Sequence, residues 1–499
     1  IKYLSFVACM LLLSNFIAAQ QFTITPEKPV GGERLSISYS PKGGPLDGVA
    51  FDGVAYIYDA IGDPKALDLN FEKQGDALVT QLTLTAGAKA VLFSFGNDEL
   101  EKSDNNGGKG YKTLVYQADR NTAVKGALAL KSMFYNGMGR SAGIKDDAEK
   151  SFNLANQALA AHPDLLNEWR FARSYAAVAT KQKNEEAIAS CRAAMEKIFA
   201  NKKASEDEFR VAVALADGLG DKAKVESSIK VAEEKFKNGS YAMNKAFSSF
   251  RAAKSLDEKL SIYNDFKEKF GKVQNFEQSK NNIAAGIATD YGKLGDWANF
   301  EKYFAQISDR SRQAGVLNSL AWSMSGESLE AEASNPKKGM ELSARSVELM
   351  VKEIENPVSR PQSTSEKKYK QNLTFGRAMY ADTYGLLLYK NGDFANALKY
   401  QTIACEQYKF EDGEMNERYM VFFEKNKPAK ETEELLAKFI AEGKATSKMS
   451  AQHKRIFLAN NSLESAYDKY IVSLEKEAKV KKREEIAAKM LDEKAPAFK

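Results

Sequence analysis

The stretch 381–404, ADTYGLLLYKNGDFANALKYQTIA, constrains the fold more than any other part of the chain. Tyr384, Gly385 and Leu388 share one face of a helix, and Asn391-Gly392-Asp393 breaks it. Ala397, Leu398, Tyr400 and Ala404 line a second helix. Small residues at Gly385 and Ala397 let two antiparallel helices approach closely, while their larger neighbours fill the groove. A single hairpin of this kind cannot bury its apolar face alone, so it requires stacked neighbours.

The neighbours are present. From about Asn121 the apolar period is helical and stays so. Ala148-x3-Phe152-x2-Ala155 has the spacing of the second helix of a tetratricopeptide unit, and His162-Pro163 closes it. Residues 168–180 pair with 185–200, 209–219 with 223–236, and 242–254 with 256–270. Ala288-x2-Tyr291, Gly295-Asp296-Trp297 and Phe300-x3-Phe304 form another copy, and 317–324 with 340–350 another. The pattern predicts a tetratricopeptide-like helical repeat array over 119–428. Residues 353–368, with two prolines and a Ser-Thr-Ser cluster, read as a loop between repeats. Residues 429–492 read as charged C-terminal helices. Trp169, Trp297 and Trp322 sit at helical spacing and are expected to be core knobs.

Before the helices the period is two. Leu35-Ser36-Ile37-Ser38-Tyr39 and Leu67-Asp68-Leu69-Asn70-Phe71 alternate, while Val91-Leu92-Phe93-Ser94-Phe95 is apolar on both faces. Residues 54–58, 78–84 and 111–116 add short strands, with Gly/Pro/Asn turns between them. Residues 20–118 are therefore expected to form an immunoglobulin-like antiparallel β-sandwich, giving a multidomain chain with an all-α remainder.

With 72 basic and 67 acidic residues the net charge is +5, and the signs are interspersed along the helices. That leaves no basic stripe for nucleic acid. The densest basic run, Lys479-Val480-Lys481-Lys482-Arg483, is followed by Glu484-Glu485 and reads as a solvated helix face. Residues 4–19, LSFVACMLLLSNFIAA, have the profile of a secretory signal (1–19), with no membrane span expected once it is removed. Export makes the cysteines informative. Cys191 and Cys405 read as two separately buried thiols, with a disulfide between them as the sharper alternative.

Reactive motifs are scarce. The two histidines, His162 beside Pro163 and His453 in the polar run Gln452-His453-Lys454-Arg455, have no ligand-spaced partners. Asp104-Asn105-Asn106-Gly107-Gly108 lacks the downstream glutamate of a calcium loop and reads as a turn. Gly137-Met138-Gly139-Arg140-Ser141-Ala142 matches a dinucleotide fingerprint in letters only and reads as a helix–helix turn. No carboxylate pair stands out as buried. The expected catalytic, cofactor-binding and metal residues are none, and no cofactor is expected.

Phe22–Pro29 (FTITPEKP), Asp104–Tyr111 (DNNGGKGY), Ala381–Ala397 and Ala495-Pro496-Ala497-Phe498-Lys499 resemble the pre-thioredoxin region of Bacteroidetes-type TlpA-like thioredoxin-fold disulfide reductases. The resemblance implies an exported, periplasmic or cell-envelope protein whose residues 493–499 begin a thioredoxin-like domain. The Cys-x-x-Cys pair of that domain would lie beyond Lys499. It implies protein or peptide clients, and an accessory role in positioning the redox domain or receiving those clients. No catalytic residue of the family falls on this chain. A different class remains open from the residues alone: a non-enzymatic cell-envelope interaction scaffold.

Overall fold

Alternation of buried apolar and half-exposed polar residues makes the first strands one-faced, and their inner faces meet. The computed structural model describes residues 21–494 except 76, 100, 461 and 462. The expected signal sequence and the Ala495–Lys499 segment lie outside the described residues. The strands are β1 (Phe22–Thr25), β2 (Arg34–Tyr39), β3 (Asp52–Tyr58), β4 (Lys65–Leu69) and β5 (Glu72–Gln74), followed by β6 (Ala77–Thr83), β7 (Ala90–Asn97), β8 (Lys102–Asp104) and β9 (Tyr111–Leu114). Among the described residues they form two antiparallel sheets. One has the order β1-β2-β6-β5. In the other, β4-β3-β7 is extended by β8 on one end of β7 and β9 on the other.

Leu35, Ile37 and Tyr39 of β2 pack with Val91, Phe93 and Phe95 of β7 in one core. Tyr39 stacks on Phe95 at 4.2 Å between ring centroids. The buried Asp104 carboxylate closes one end of this core. Its Oδ2 accepts from the Tyr39 hydroxyl at 2.7 Å, the Tyr111 hydroxyl at 3.0 Å and Gln21 Nε2 at 2.7 Å. Burial, and then Asp104 itself, pushes both phenols well above the ordinary tyrosine range.

The two-faced apolar run of β7 has a cause. Val91, Phe93 and Phe95 face the other sheet, while Ala90 and Leu92, with Tyr58 and Leu114, pack against helical residues including Ala127, Leu130 and Phe134. A strand buried on both faces loses the polar alternation that solvent would impose.

The helices divide between two compact units. The first unit runs to Phe236 and includes Pro361–Glu366. It holds the sheets with α1 (Ala127–Met133), α2 (Ala148–Ala161), α3 (Trp169–Lys181), α4 (Glu185–Ala200), α5 (Glu206–Gly218) and α6 (Lys222–Lys235). The second unit comprises Lys237–Arg360 and the chain from Lys367. Its helices are α7 (Ser240–Ala252), α8 (Leu256–Phe270), α9 (Phe276–Leu294), α10 (Trp297–Phe304), α11 (Arg310–Ser325), α12 (Pro336–Glu355), α13 (Glu366–Lys390), α14 (Phe394–Gln407), α15 (Gly413–Asn426), α16 (Ala429–Ala441), α17 (Ser447–Asn460) and α18 (Glu464–Lys494). Within a unit, helices pack on their sequence neighbour and often on the next but one, as α3 does on α4 and α5 and α16 on α17 and α18. This is the packing of a helical repeat array. Sequence starts these helices cleanly. Asp147, Asn184, Asp221, Asp296, Asp393 and Asp412 each cap the following helix through a side-chain oxygen, a contact worth about 1 kcal/mol.

One local expectation is corrected. Residues 353–368 are a shorter loop, 356–365, because α12 runs on to Glu355 and α13 begins at Glu366. The cause is Glu353, which is fully buried. Its Oε1 accepts from Ser359 N at 2.7 Å and the Tyr369 hydroxyl at 3.1 Å, and Arg310 Nη1 lies 3.1 Å from Oε2. Tyr369 and Leu373 then bury the start of α13 against Ala314 and Met350. Asp104, Glu353 and Asp382 are buried singly, each with partners other than a carboxylate.

Asp104→Ala strands two buried hydroxyls and an amide. It is expected to lower the stability of the first unit by about 3 kcal/mol, measured by urea unfolding against the wild-type chain.

Candidate functional site

The most constrained polar group in the second unit lies on the hairpin that the sequence marks most clearly. Arg418 of α15 clamps Asp382 of α13 through both guanidinium edges, Nε to Oδ1 at 2.8 Å and Nη2 to Oδ2 at 2.9 Å. Gln401 of α14 donates to the same Oδ1 at 2.7 Å and to the Met415 carbonyl at 3.1 Å. The Cys405 thiol, one turn on, donates to the Met415 carbonyl at 3.5 Å. Both charged side chains are more than nine-tenths buried. Three helices are thereby held in one register. The arrangement is a bidentate, charge-assisted pair with a third donor on Oδ1, a geometry that fixes the relative positions of the groups it joins.

Adjacent to Arg418 in sequence, Tyr419 points elsewhere. It meets Phe410 edge-on at 5.4 Å, and both rings approach Phe439 of α16. With Leu435 these rings wall a pocket of about 100 Å³ whose other lining residues are Lys438, Glu442 and Lys444. Lys444 is tied back, 2.9 Å from Glu411 and 3.0 Å from the Lys409 carbonyl. An apolar cavity of about 150 Å³ takes a benzene ring, so this pocket suits one aliphatic side chain. In the first unit a wider depression of about 290 Å³ is lined by Lys131, Asp147, Glu149, Lys150, Asn153, Leu154 and Gln157, a mixed-charge surface. Beside it the Tyr135 phenol sits between Lys112 and Lys150. Although burial opposes it, their ammonium groups lower its pKa.

The residues singled out from sequence fall as follows. Cys191 is a buried free thiol on α4, pushed up to about 11 by burial. Cys405 is a buried free thiol on α14, pushed up to about 12 by burial against the opposing pull of Gln401. The disulfide alternative is not formed. Asp104 is spent on Gln21, Tyr39 and Tyr111, and Asn105 caps the short turn Asn106–Gly108, so the segment is a turn. Residues 137–142 join α1 to α2 through two short turns, with Gly137 at a φ of 98°. Trp169, Trp297 and Trp322 pack against cores while staying half-exposed. Lys481 pairs with Glu477 at 3.1 Å on a solvated face of α18. His453, read as part of a polar run, is fully buried. Among the described residues no cluster of metal-ligating groups forms, and no helix is long and apolar enough to cross a membrane.

Sequence reasoning missed the Asp382–Arg418 clamp. The partners are 36 residues apart, and each alone reads as an ordinary surface charge. The one available signal was Asp382 inside the apolar face of its own hairpin.

No protein-family model matches the chain, and no curated protein does. Among solved structures, one described as "Structure of Naa15/Naa10 bound to HypK-THB" matches at 11% identity over 74% of this chain. This chain spans 60% of that one, and the TM-score is 0.20, so the likeness carries no argument about fold detail or function.

Two outcomes follow from the geometry. Cys191 and Cys405 should resist a disulfide reagent at pH 8 in the native chain and react on unfolding, read by mass spectrometry of the labelled peptides. Arg418→Met should cost about 3–5 kcal/mol by leaving Asp382 buried and unpaired, and adding Asp382→Leu should recover most of the loss in chemical denaturation.

Proposed function

We propose that this chain is a non-catalytic protein-interaction scaffold, working as the accessory region of an exported thiol–disulfide oxidoreductase. It positions a thioredoxin-like domain or receives that domain's protein or peptide clients in the periplasm or cell envelope. The single observation carrying the scaffold reading is the aromatic pocket of Phe410, Tyr419, Leu435 and Phe439, set in a helical array. Its aromatic walls pack on one another, Phe410 on Tyr419 and both on Phe439, which favours a pocket preorganised for one anchor side chain. The Gly385–Ala397 contact across the turn 391–393 supports tetratricopeptide-type repeats. The shared core of the two sheets supports an immunoglobulin-like sandwich. The redox setting is supported by the resemblance of 22–29, 104–111, 381–397 and 495–499 to TlpA-like reductases.

Both described thiols are buried and protonated at neutral pH, which favours chemistry outside these residues. It equally favours the second reading, an interaction scaffold of the cell envelope with no redox partner. Reading the coding region past the Lys499 codon separates the two. A strand followed by a Cys-x-x-Cys opening a helix is expected for the first, and its absence leaves the second. The purified chain is expected not to reduce insulin disulfides in a turbidity assay, and reduction would overturn both readings. For the scaffold itself, peptides selected from a displayed library against the wild-type chain should lose affinity about tenfold or more for Leu435→Arg. That variant should keep its thermal stability, and an unchanged affinity would remove the pocket from the function.

A further inference from the structure

His453 has no exposed surface, and among the described residues neither ring nitrogen has a hydrogen-bond partner. A buried imidazole ordinarily finds a carbonyl or a carboxylate, because an unpaired donor or acceptor carries its full desolvation penalty. Here the ring is boxed by aromatics. Phe457 of its own helix lies at 6.2 Å between centroids, and Tyr467 and Tyr470 of α18 at 5.6 and 5.8 Å. Tyr467 is the buried residue among the described side chains of α18, and the half-buried Ile471, Leu474 and Ala478 continue its stripe at spacings of three and four. α18 packs on α16 and α17, with Tyr467 against the rings of His453 and Phe457 and Ala478 beside Gly443 at the end of α16. The helix otherwise carries exposed side chains, Val472, Val480 and Ile486 among them. The lid over His453 is thus the first two turns of a helix held along one narrow stripe.

We propose that His453 is a pH-sensitive latch: uptake of a proton by its buried imidazole releases α18 from α16 and α17. Docked, the neutral ring is tolerated among aromatic faces. Protonated, it becomes a cation with two donors and no acceptor, and undocking α18 gives both donors to water.

The surrounding charges do not offer a substitute partner. On α17, Lys454 is paired with Glu464 of α18 at 2.6 Å, and Arg455 with Glu424 of α15 at 2.6 Å. Glu417 of α15 is held by Lys448 at 3.4 Å. On α18 the facing titratable groups are the phenols of Tyr467 and Tyr470, and the Tyr467 hydroxyl donates to the Ser450 carbonyl at 3.2 Å. Glu433 of α16 is the one carboxylate that favours the imidazolium, and it is outweighed by burial. The net effect lowers the His453 pKa from its ordinary value of 6.5. The sign follows. A base with a depressed docked-state pKa stabilises docking above its undocked pKa. That stability is lost as pH falls below about 6.5 towards the docked-state value.

Hydrogen–deuterium exchange of the full chain between pH 7.5 and 5, corrected for intrinsic rates, tests the latch. In the wild-type chain, protection over residues 467–481 should fall about tenfold per pH unit below about 6.5 and level off once docked His453 is protonated. His453→Phe and His453→Met should hold protection constant across the range, and His162→Gln should behave as wild type. Constant protection in the wild type, or wild-type pH dependence in both His453 variants, overturns the proposal. Should those variants not fold, the wild-type His453 resonance, assigned against His162→Gln, decides. It must titrate over the pH range in which 467–481 lose protection, and titration outside that range overturns the latch.

Discussion

Helices in this array touch backbone to side chain at small residues, and the rest of the architecture depends on that approach. At Gly385 an added Cβ would lie 3.2 Å from the Ala397 carbonyl oxygen and 3.1 Å from Gln401 Oε1. At Gly218 it would overlap the Arg173 carbonyl. Dispersion contacts decay steeply with distance, so a methyl group that pushes two helices apart weakens every neighbouring contact along the seam. Close approach also brings polar side chains near the facing backbone. That is how Gln401 reaches the Met415 carbonyl while holding Asp382. The polar clamp is a consequence of the tight seam and in turn fixes its register.

The sheets are built into the helical part by the same kind of shared burial. β7 serves two cores, one between the sheets and one against α1 and its neighbours. A mutation at Val91, Phe93 or Phe95 therefore meets the core between the sheets, and one at Ala90 or Leu92 the core against the helices. The Asp104 cluster, by contrast, belongs to the sheets alone, where it ties Gln21, Tyr39 and Tyr111 together.

What the sequence conveyed follows from the range of the interaction. Strand alternation, the Asn391-Gly392-Asp393 break and the Asp/Asn caps are local, and each is legible within a few residues. The double-faced run at Val91–Phe95 was visible as a pattern, while its second partner, the helical layer, was not. The loop placed at Glu353, the polar run read at His453 and the overlooked Asp382 share one physical reason. A charged or polar letter reads as exposed unless its partner is near in sequence. Their partners or coverings come from other helices: Arg310 and Tyr369 for Glu353, Arg418 for Asp382, Tyr467 and Tyr470 for His453. The candidate pocket was equally hidden, since Phe410, Tyr419 and Phe439 belong to three separate segments.

The three buried groups differ in how well they are compensated, and the difference assigns their roles. Asp382 receives three directional hydrogen bonds, two of them from a guanidinium. Desolvation offsets most of what such a pair gains in Coulomb energy, so its contribution is register more than net stability. Glu353 is bonded to the loop after its own helix and to Tyr369, so it defines where one repeat stops and the next starts. Among the described residues, His453 has no hydrogen-bond partner on either ring nitrogen. A group left in that condition destabilises the docked state least when it is neutral and most when it is charged. Of the three, it alone has an ordinary pKa near physiological pH. The fixed polar groups therefore hold the repeats together, and the uncompensated one sits under the first turns of α18, where Tyr467 and Tyr470 cover it.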